Sequence, residues 1–120
     1  MNIEEFRDYC LSLSKVTEKM PFAQFHGANT ILVFYIAGKS FCYVNIDKFD
    51  SCMIKGDPKT IVLLKERYVC VENPSHFGAK HWMNIRLNQD MDDETLKDLI
   101  RQSYEIVSSG LSKNPLCNKL

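Results

Sequence analysis

The sequence predicts an α+β fold, an antiparallel β-sheet flanked by N- and C-terminal helices with one inserted helix. Apolar residues recur at helical spacing near both ends of the chain, and the middle is rich in β-branched and aromatic residues. The predicted strands are joined by short turns in one block. Strict alternation of strands and helices would indicate a parallel α/β sheet instead, so the α+β class is favoured.

The first helix is predicted over residues 3–14. Asn2 and Glu5 have the spacing of a capping box at its start. The apolar stripe that follows consists of Phe6, Tyr9, Cys10 and Leu13. Thr17 is placed to cap one further helical turn before Pro21, which has no N–H to donate. An extended connector is expected from Pro21 onwards.

Three strands are predicted next, over residues 30–36, 40–46 and 51–55. The first two are rich in β-branched and aromatic side chains and form a hairpin around Ala37-Gly38-Lys39. A polar turn over residues 47–50 separates the second strand from the short third one. The sheet is therefore expected to be antiparallel up to this point.

The inserted helix is predicted from Pro58 to Arg67. Asp57 suits the N-cap position, and Pro58 suits the first helical position because its missing N–H would be unpaired there in any case. The inward stripe of this helix is predicted to contain Ile61, Leu64 and Tyr68. A brief strand over residues 69–71 follows.

The last long strand is predicted over residues 80–88, where two kinds of side chain alternate. Because successive side chains of a strand point to opposite faces, one face is mainly apolar and the other mixes cations, amides and the single tryptophan. The apolar face is predicted to contain His81, Met83, Ile85 and Leu87. The mixed face is predicted to contain Lys80, Trp82, Asn84, Arg86 and Asn88.

The closing helix is expected to be capped by Asp92 and to end before Gly110 at the C′ position. Its inward stripe is predicted to contain Leu96, Leu99, Ile100, Ser103 and Val107. One domain is therefore expected over residues 1–111, followed by a C-terminal tail over residues 112–120.

Composition argues against several classes of protein. The 120 residues carry no formal net charge, although residues 39–86 hold eight Lys/Arg against five Asp/Glu, a local net charge of +3. Five widely spaced cysteines without a C-x-x-C pair are typical of reduced core thiols. The start of the chain does not look like a signal peptide, and no apolar run is long enough to span a bilayer. These features predict a soluble cytoplasmic protein.

Several landmarks together resemble the MmcQ/YjbR family of small bacterial proteins over nearly the whole chain. They are Pro21-Phe22, the hairpin at residues 33–41, the segment at residues 54–58, the motif Lys80-His81-Trp82, and Ser103-Tyr104. The chain departs from the family pattern at Gly56, where a bulkier residue is usual, and in the turn at residues 73–77. The resemblance implies a CyaY-like fold, also described as a double wing, and a DNA-binding role.

The residues themselves suggest which surface DNA would contact. Phosphate binding needs lysines and arginines, and aromatic rings can stack on bases or enter a groove. The predicted DNA-binding residues are Lys39, Lys55, Lys59, Lys80, Trp82 and Arg86. Two structural alternatives remain open: Trp82 buried under the closing helix, and lysines that only protect sheet edges.

Other functions are less well supported by the sequence. His76 and His81, with Cys70 or Asp57, match no compact zinc pattern, so neither a metal nor any other cofactor is expected. A Cys/His nucleophile pair would be invisible in sequence, but no catalytic motif is recognisable. The alternative to DNA binding is a non-enzymatic protein-interaction or small-ligand-binding module. It would show an apolar patch or a concavity near Trp82.

Overall fold

The structure, a computed structural model, describes residues 1–74 and 77–112. Its elements are α1 (Ile3–Ser12), β1 (Val16–Lys19), β2 (Ile31–Ile36), β3 (Lys39–Asn45), β4 (Ser51–Lys55), α2 (Pro58–Arg67), β5 (Val71–Glu72), β6 (Trp82–Arg86) and α3 (Asp93–Ser112). The strands form one antiparallel sheet in the order β1-β2-β3-β4-β6-β5. The predicted α+β class, with terminal helices and an inserted helix, is confirmed.

The N-terminal region contains a strand that the sequence analysis missed. The predicted capping box is present, since Asn2 accepts from the backbone N–H of Glu5 and the Glu5 side chain accepts from Asn2 N–H. However, α1 ends at Ser12, and Thr17 lies in β1 opposite Tyr35 instead of capping a helical turn. Pairing with β2 supplies the backbone partners that a second helical turn would have made, so tertiary contacts override the local signal.

The connector after β1 is also different from the prediction. Residues 20–30 form a series of tight turns, with hydrogen bonds from Ala23 N to Met20 O, from Phe25 N to Phe22 O and from Ala28 N to Phe25 O. The predicted extended connector is therefore wrong. Successive turns bring this segment back over the sheet, where Phe22, Gly27 and Ala28 line a cavity together with residues of β3 and β4.

The predicted hairpin and inserted helix are confirmed. Ile36 pairs with Lys39, so the hairpin turn consists of Ala37 and Gly38, which both have positive φ as a two-residue type I′ turn requires. Helix α2 has the predicted bounds, and the Asp57 carboxylate accepts from the N–H groups of Lys59 and Thr60. The brief strand expected over residues 69–71 lies slightly later, at Val71–Glu72.

The start of α3 matches the prediction and its end does not. The Asp92 side chain accepts from Thr95 N–H as an N-cap does. The helix continues to Ser112, so Gly110 lies inside it and does not end it as predicted. An interior glycine destabilises a helix by only about 1 kcal/mol, which the long apolar stripe offsets. Residues 113–120 of the predicted tail lie outside the described residues.

The core lies between one face of the sheet and the helices. All five residues predicted for the inward stripe of α3 are buried, as are Phe6 and Cys10 of α1 and Ile61 of α2. From the sheet they meet alternate residues, including Phe34, Cys42, Cys52, Ile54, Met83 and Ile85. Since the helices cover this face, the opposite face of the sheet carries the remaining side chains of the central strands.

Candidate functional site

Strand β6 divides its side chains between the two faces of the sheet. Met83 and Ile85 are 2% and 1% exposed and belong to the core, whereas Trp82, Asn84 and Arg86 are half-buried on the opposite face. The predicted alternation is therefore correct within this strand. The strand is shorter than predicted, because Lys80 and His81 lie in the turn that precedes it.

Three aromatic rings gather on the face away from the helices, and we call them the aromatic cluster: Tyr43, Phe77 and Trp82. Phe77 stacks on Trp82 with ring centroids 5.0 Å apart and an interplanar angle of 29°. Tyr43 meets Trp82 edge to face at 5.6 Å and lies 5.0 Å from Phe77. Such geometries are favourable for aromatic pairs, so the three rings brace one another. Trp82 is consequently not buried under α3.

Four lysines lie at the end of the sheet next to Trp82. Lys55 pairs with Trp82 across β4 and β6, and its Nζ lies 5.6 Å from the centroid of the indole ring. Lys80 lines a cavity of about 400 Å³ together with Lys55, Gly78, His81 and Trp82. We call Lys39, Lys55, Lys59 and Lys80 the basic end.

Strand register explains why these lysines lie at the same end of the sheet. Because β3 begins at Lys39 and runs antiparallel to β4, which ends at Lys55, both residues lie at the same end of the sheet. Lys59 follows in the first turn of α2, directly after β4. Within residues 1–74 and 77–112, none of the four ammonium groups forms an ion pair with a carboxylate.

Arg86 is the one predicted site residue that the structure separates from the others. It lies at the opposite end of β6, where it pairs with Ser51, four residues along the strand from Trp82. Its Nε lies 3.7 Å from Glu72 Oε2, and the same carboxylate accepts from Asn84 Nδ2 at 2.9 Å. Since Glu72 offsets its charge, Arg86 is not part of the basic end.

A cavity of about 520 Å³ lies on the same face, beside the aromatic cluster. Its walls come from the connector at residues 20–30, from β3, β4 and β6, and from Phe77. Its residues are Phe22, Gly27, Ala28, Ile31, Tyr43, Val44, Asn45, Asp50, Ser51, Cys52, Met53, Phe77 and Asn84. The sequence analysis named a concavity near Trp82 as the mark of a binding module, but no motif indicated which residues would form its walls. Only the fold brings the connector onto the sheet.

Helix α2 offers no empty phosphate site at its start. The N-terminus of a helix attracts anions, but here the Asp57 carboxylate already accepts from the first free N–H groups. The structural interpretation of Gly56-Asp57-Pro58 as a capping segment is confirmed. Any contact of Lys59 with an anion would therefore come from its side chain, which is exposed.

Within the described residues, the cysteines and histidines form no metal-binding group, and the pKa of two core thiols disfavours a role as nucleophiles. No group of three His, Cys, Asp or Glu side chains there is arranged to hold a metal ion, and His76 lies outside those residues. Burial raises the pKa of the Cys42 and Cys52 thiols, and the neighbouring Cys10 adds to the effect on Cys42. A raised pKa disfavours the thiolate that nucleophilic chemistry requires.

Comparison with known proteins assigns the chain to a family. The family model described as YjbR matches residues 11–106, which include every strand of the sheet and most of α3. The chain belongs to the YjbR family. The match contains all six residues that the sequence analysis assigned to DNA binding, so this surface lies within the family's shared region.

This YjbR chain is also similar to other bacterial proteins. An uncharacterized Escherichia coli O157:H7 protein, YbdF, is 29% identical over 82 residues, or 68% of this chain and 67% of that protein. The crystal structure of the Deinococcus radiodurans protein DR2400, a DUF419 domain, has a TM-score of 0.78 at 23% identity. The match covers 98% of this chain and 86% of that one.

A Pseudomonas syringae protein has the same fold. Its crystal structure matches with a TM-score of 0.71 at 18% identity, covering 88% of this YjbR chain and 98% of that chain. At these identities the structural likeness concerns the fold alone. In the part of the chain that the structure describes, no helix is both long and apolar enough to cross a membrane.

Proposed function

We propose that this YjbR protein binds DNA non-enzymatically through the basic end and the aromatic cluster. The observation that carries the proposal is the position of Lys55 and Lys80 beside Trp82, with Lys39 and Lys59 at the same end of the sheet. Positive side chains without acidic partners are suited to phosphate groups, which supply most of the affinity of DNA-binding proteins.

The aromatic cluster would add contacts that lysines cannot make. Trp82 is half-buried, so one part of the ring packs on Phe77 and Tyr43 while another part remains accessible next to Lys55. A ring held in this way loses little conformational freedom when a base or a sugar packs against it. Arg86 is expected to contribute weakly, because Glu72 already faces its guanidinium group.

Salt dependence of binding tests the proposal. DNA affinity of the wild type should fall steeply as salt rises, since each phosphate contact releases counterions. In Lys55→Ala/Lys80→Ala, the slope of log K against log salt should become shallower by about 1 for each lysine removed. Fluorescence anisotropy of a labelled 20-base-pair duplex measures both slopes.

A matched control removes two positive charges elsewhere. Lys48 lies in the turn between β3 and β4, at the far end of β4 from Lys55, and Arg101 lies on α3 on the helical side of the sheet. Lys48→Ala/Arg101→Ala should leave the salt slope nearly unchanged. Absence of binding to both duplex and single-stranded DNA at low salt, or equal effects of the two double variants, would contradict DNA binding by the basic end.

A second candidate function has one observation in its favour. The cavity of about 520 Å³ is of the size that small-molecule sites have, which favours a small-ligand-binding module. Such a module would bind its ligand with little dependence on salt and would have no affinity for duplex DNA. The anisotropy titration therefore distinguishes the two candidates.

A further inference from the structure

The cavity and the basic end are two parts of one continuous surface. Phe77 lines the cavity and stacks on Trp82, and Trp82 in turn lies under Lys55 Nζ. Tyr43 also belongs both to the cavity wall and to the aromatic cluster. The lysines and the cavity are therefore separated only by the aromatic cluster, so one ligand could contact both.

The walls of the cavity suit a flat heteroaromatic ring. Phe22, Tyr43 and Phe77 supply aromatic side chains from three different segments, and Met53 supplies a polarizable thioether. Rings and a thioether from several directions can enclose both faces of a planar group. The cavity is also large enough, because about 300 Å³ is the lower end for small-molecule sites.

Polar groups in the same walls include both hydrogen-bond acceptors and donors, and the Asn45 oxygen already accepts from Asp47 and Lys48 N–H. The amide nitrogen of Asn84 donates one hydrogen bond to Glu72 Oε1, which leaves the Asn84 oxygen free to accept from a ligand. Asp50 and Ser51, whose side chains can also accept hydrogen bonds, line the cavity as well. Acceptors of this kind match the exocyclic amine and ring N–H groups of nucleobases.

Charge distinguishes the two ends of this face. Asp50 lies in the cavity wall and Glu72 contacts Asn84, whereas the other end carries Lys55 and Lys80. Carboxylates repel phosphate, so a phosphate group is unfavourable in the cavity and favourable at the basic end. A nucleotide would therefore lie with its base in the cavity and its phosphate toward the lysines.

We propose that the cavity receives an unpaired nucleobase while the neighbouring phosphates contact the basic end. This inference rests on the proposed DNA-binding function and specifies the form of DNA that is preferred, namely a strand with an unpaired base. Enzymes and binding proteins that take up unpaired bases use the same combination of aromatic stacking and hydrogen bonds to the base edge.

Three DNA probes test the inference. They are a twelve-nucleotide single strand, an abasic deoxyribose-phosphate strand of the same length, and the matched duplex. All three have phosphates, but only the first presents freely accessible bases. The single strand should bind about 10-fold or more tightly than the abasic strand, because each stacked base contributes to affinity. Equal affinities for these two strands would overturn the inference and leave the proposed function intact.

Variants that fill the cavity test whether the preference for the single strand over the abasic strand arises there. Ala28→Leu and Ser51→Leu each add a side chain to the wall and leave all four lysines in place. Either variant should remove the advantage of the single strand over the abasic strand without changing the affinity for the abasic strand. Two variants are used in case one of them misfolds. Thermal unfolding shows whether each variant is folded. Retention of the full advantage by two folded variants would contradict a base in this cavity.

Binding of free deoxycytidine tests the base site independently of DNA binding. The nucleoside has a base with an exocyclic amine but no phosphate, so it should shift the NMR signal of the Met53 methyl group in the wild type and not in Ser51→Leu. If no strand binds but this shift occurs, the proposed DNA-binding function is wrong and the cavity is a nucleoside site. If neither strands nor nucleoside bind, both proposals are wrong.

Discussion

Asp90 shows how a single side chain joins two parts of the sheet. It lies between β6 and α3, and its carboxylate accepts from the backbone N–H groups of Val69 at 2.6 Å and Cys70 at 3.0 Å. The Cys70 thiol and these N–H donors stabilise the charged form, so the pKa of Asp90 is below its ordinary value. Burial, together with the same carboxylate, raises the pKa of Cys70 to about 11.

This arrangement predicts that Asp90 stabilises the fold in a pH-dependent manner. Because the pKa of Asp90 is lower in the folded state than its ordinary value of 3.8, its stabilising effect is fully present above that value. The effect is lost as the pH falls through the lowered pKa. Asp90→Asn should therefore lower the unfolding midpoint at pH 7, and the difference from the wild type should shrink below about pH 4.

Thermal unfolding followed by circular dichroism between pH 2.5 and pH 7 would measure that difference. Asp47→Asn makes the same chemical change in an exposed turn and serves as the reference. A difference between Asp90→Asn and wild type that stays constant down to the lowest pH would show that the charge of Asp90 does not stabilise the fold.

At the scale of elements, α3 is attached to the sheet by one buried polar contact within its apolar stripe. Ser103 is 0% exposed, and its hydroxyl donates to the backbone carbonyl of Phe41 in β3 at 3.0 Å. The next residue, Tyr104, packs edge to face on the Phe41 ring at 5.8 Å and donates to Ser14 O. The helix is therefore fixed in position along β3 as well as pressed against it.

Replacement of Ser103 should weaken the docking of α3. Ser103→Ala leaves the Phe41 carbonyl with one partner fewer in a buried place, which should lower the free energy of unfolding by about 1 kcal/mol. Ser109→Ala, at an exposed position of the same helix, corrects for the higher helix propensity of alanine. Urea unfolding measures the free energy of unfolding of both variants. Equal values would mean that the Ser103 hydrogen bond does not contribute to stability.

At the scale of the whole molecule, the core contains four reduced cysteines. Cys10, Cys42, Cys52 and Cys70 are each no more than 1% exposed, and all four are free thiols. Burial raises the pKa of Cys42 and Cys52, so these thiols are both inaccessible and neutral at ordinary pH. They act as small apolar residues that fill the space between sheet and helices.

The core thiols should react only when the molecule opens. A Cys117→Ser background removes the fifth cysteine, which lies outside the described residues. In this background a thiol reagent at pH 8 should label less than about one group per chain within minutes in buffer, and all four groups in guanidinium. Adding Ser109→Cys, on the exposed side of α3, should contribute one rapid equivalent. Rapid labelling without that addition would contradict a closed core.

Most of the helices and strands of this fold could be predicted from the sequence, but not all the contacts between them. Local signals were sufficient for the hairpin, for α2 and for the start of α3, because caps and turns depend on residues close together in the chain. The same signals failed at Thr17 and Gly110. Strand β1 forms only because β2 offers it hydrogen bonds, and α3 passes Gly110 because a glycine alone is a weak stop signal.

The candidate site was predicted in part. The structure brings Lys55, Lys80 and Trp82 together, although Lys80 lies in the turn before β6 and not in the strand as predicted. Arg86 lies on the predicted face of its strand, but its contact with Glu72 was not predicted, because the two residues come together only through the pairing of β5 with β6. Long-range pairings of this kind leave no trace in local sequence patterns.

By itself, the sequence determined the α+β class, the apolar faces of the helices and strands, and the YjbR resemblance, because periodicity, capping and motifs are local properties. Only the tertiary structure decided that the rings of Tyr43, Phe77 and Trp82 form one cluster, and that the connector at residues 20–30 closes a cavity beside it. These contacts join residues far apart in the chain, and the packing of the whole molecule determines which of them meet.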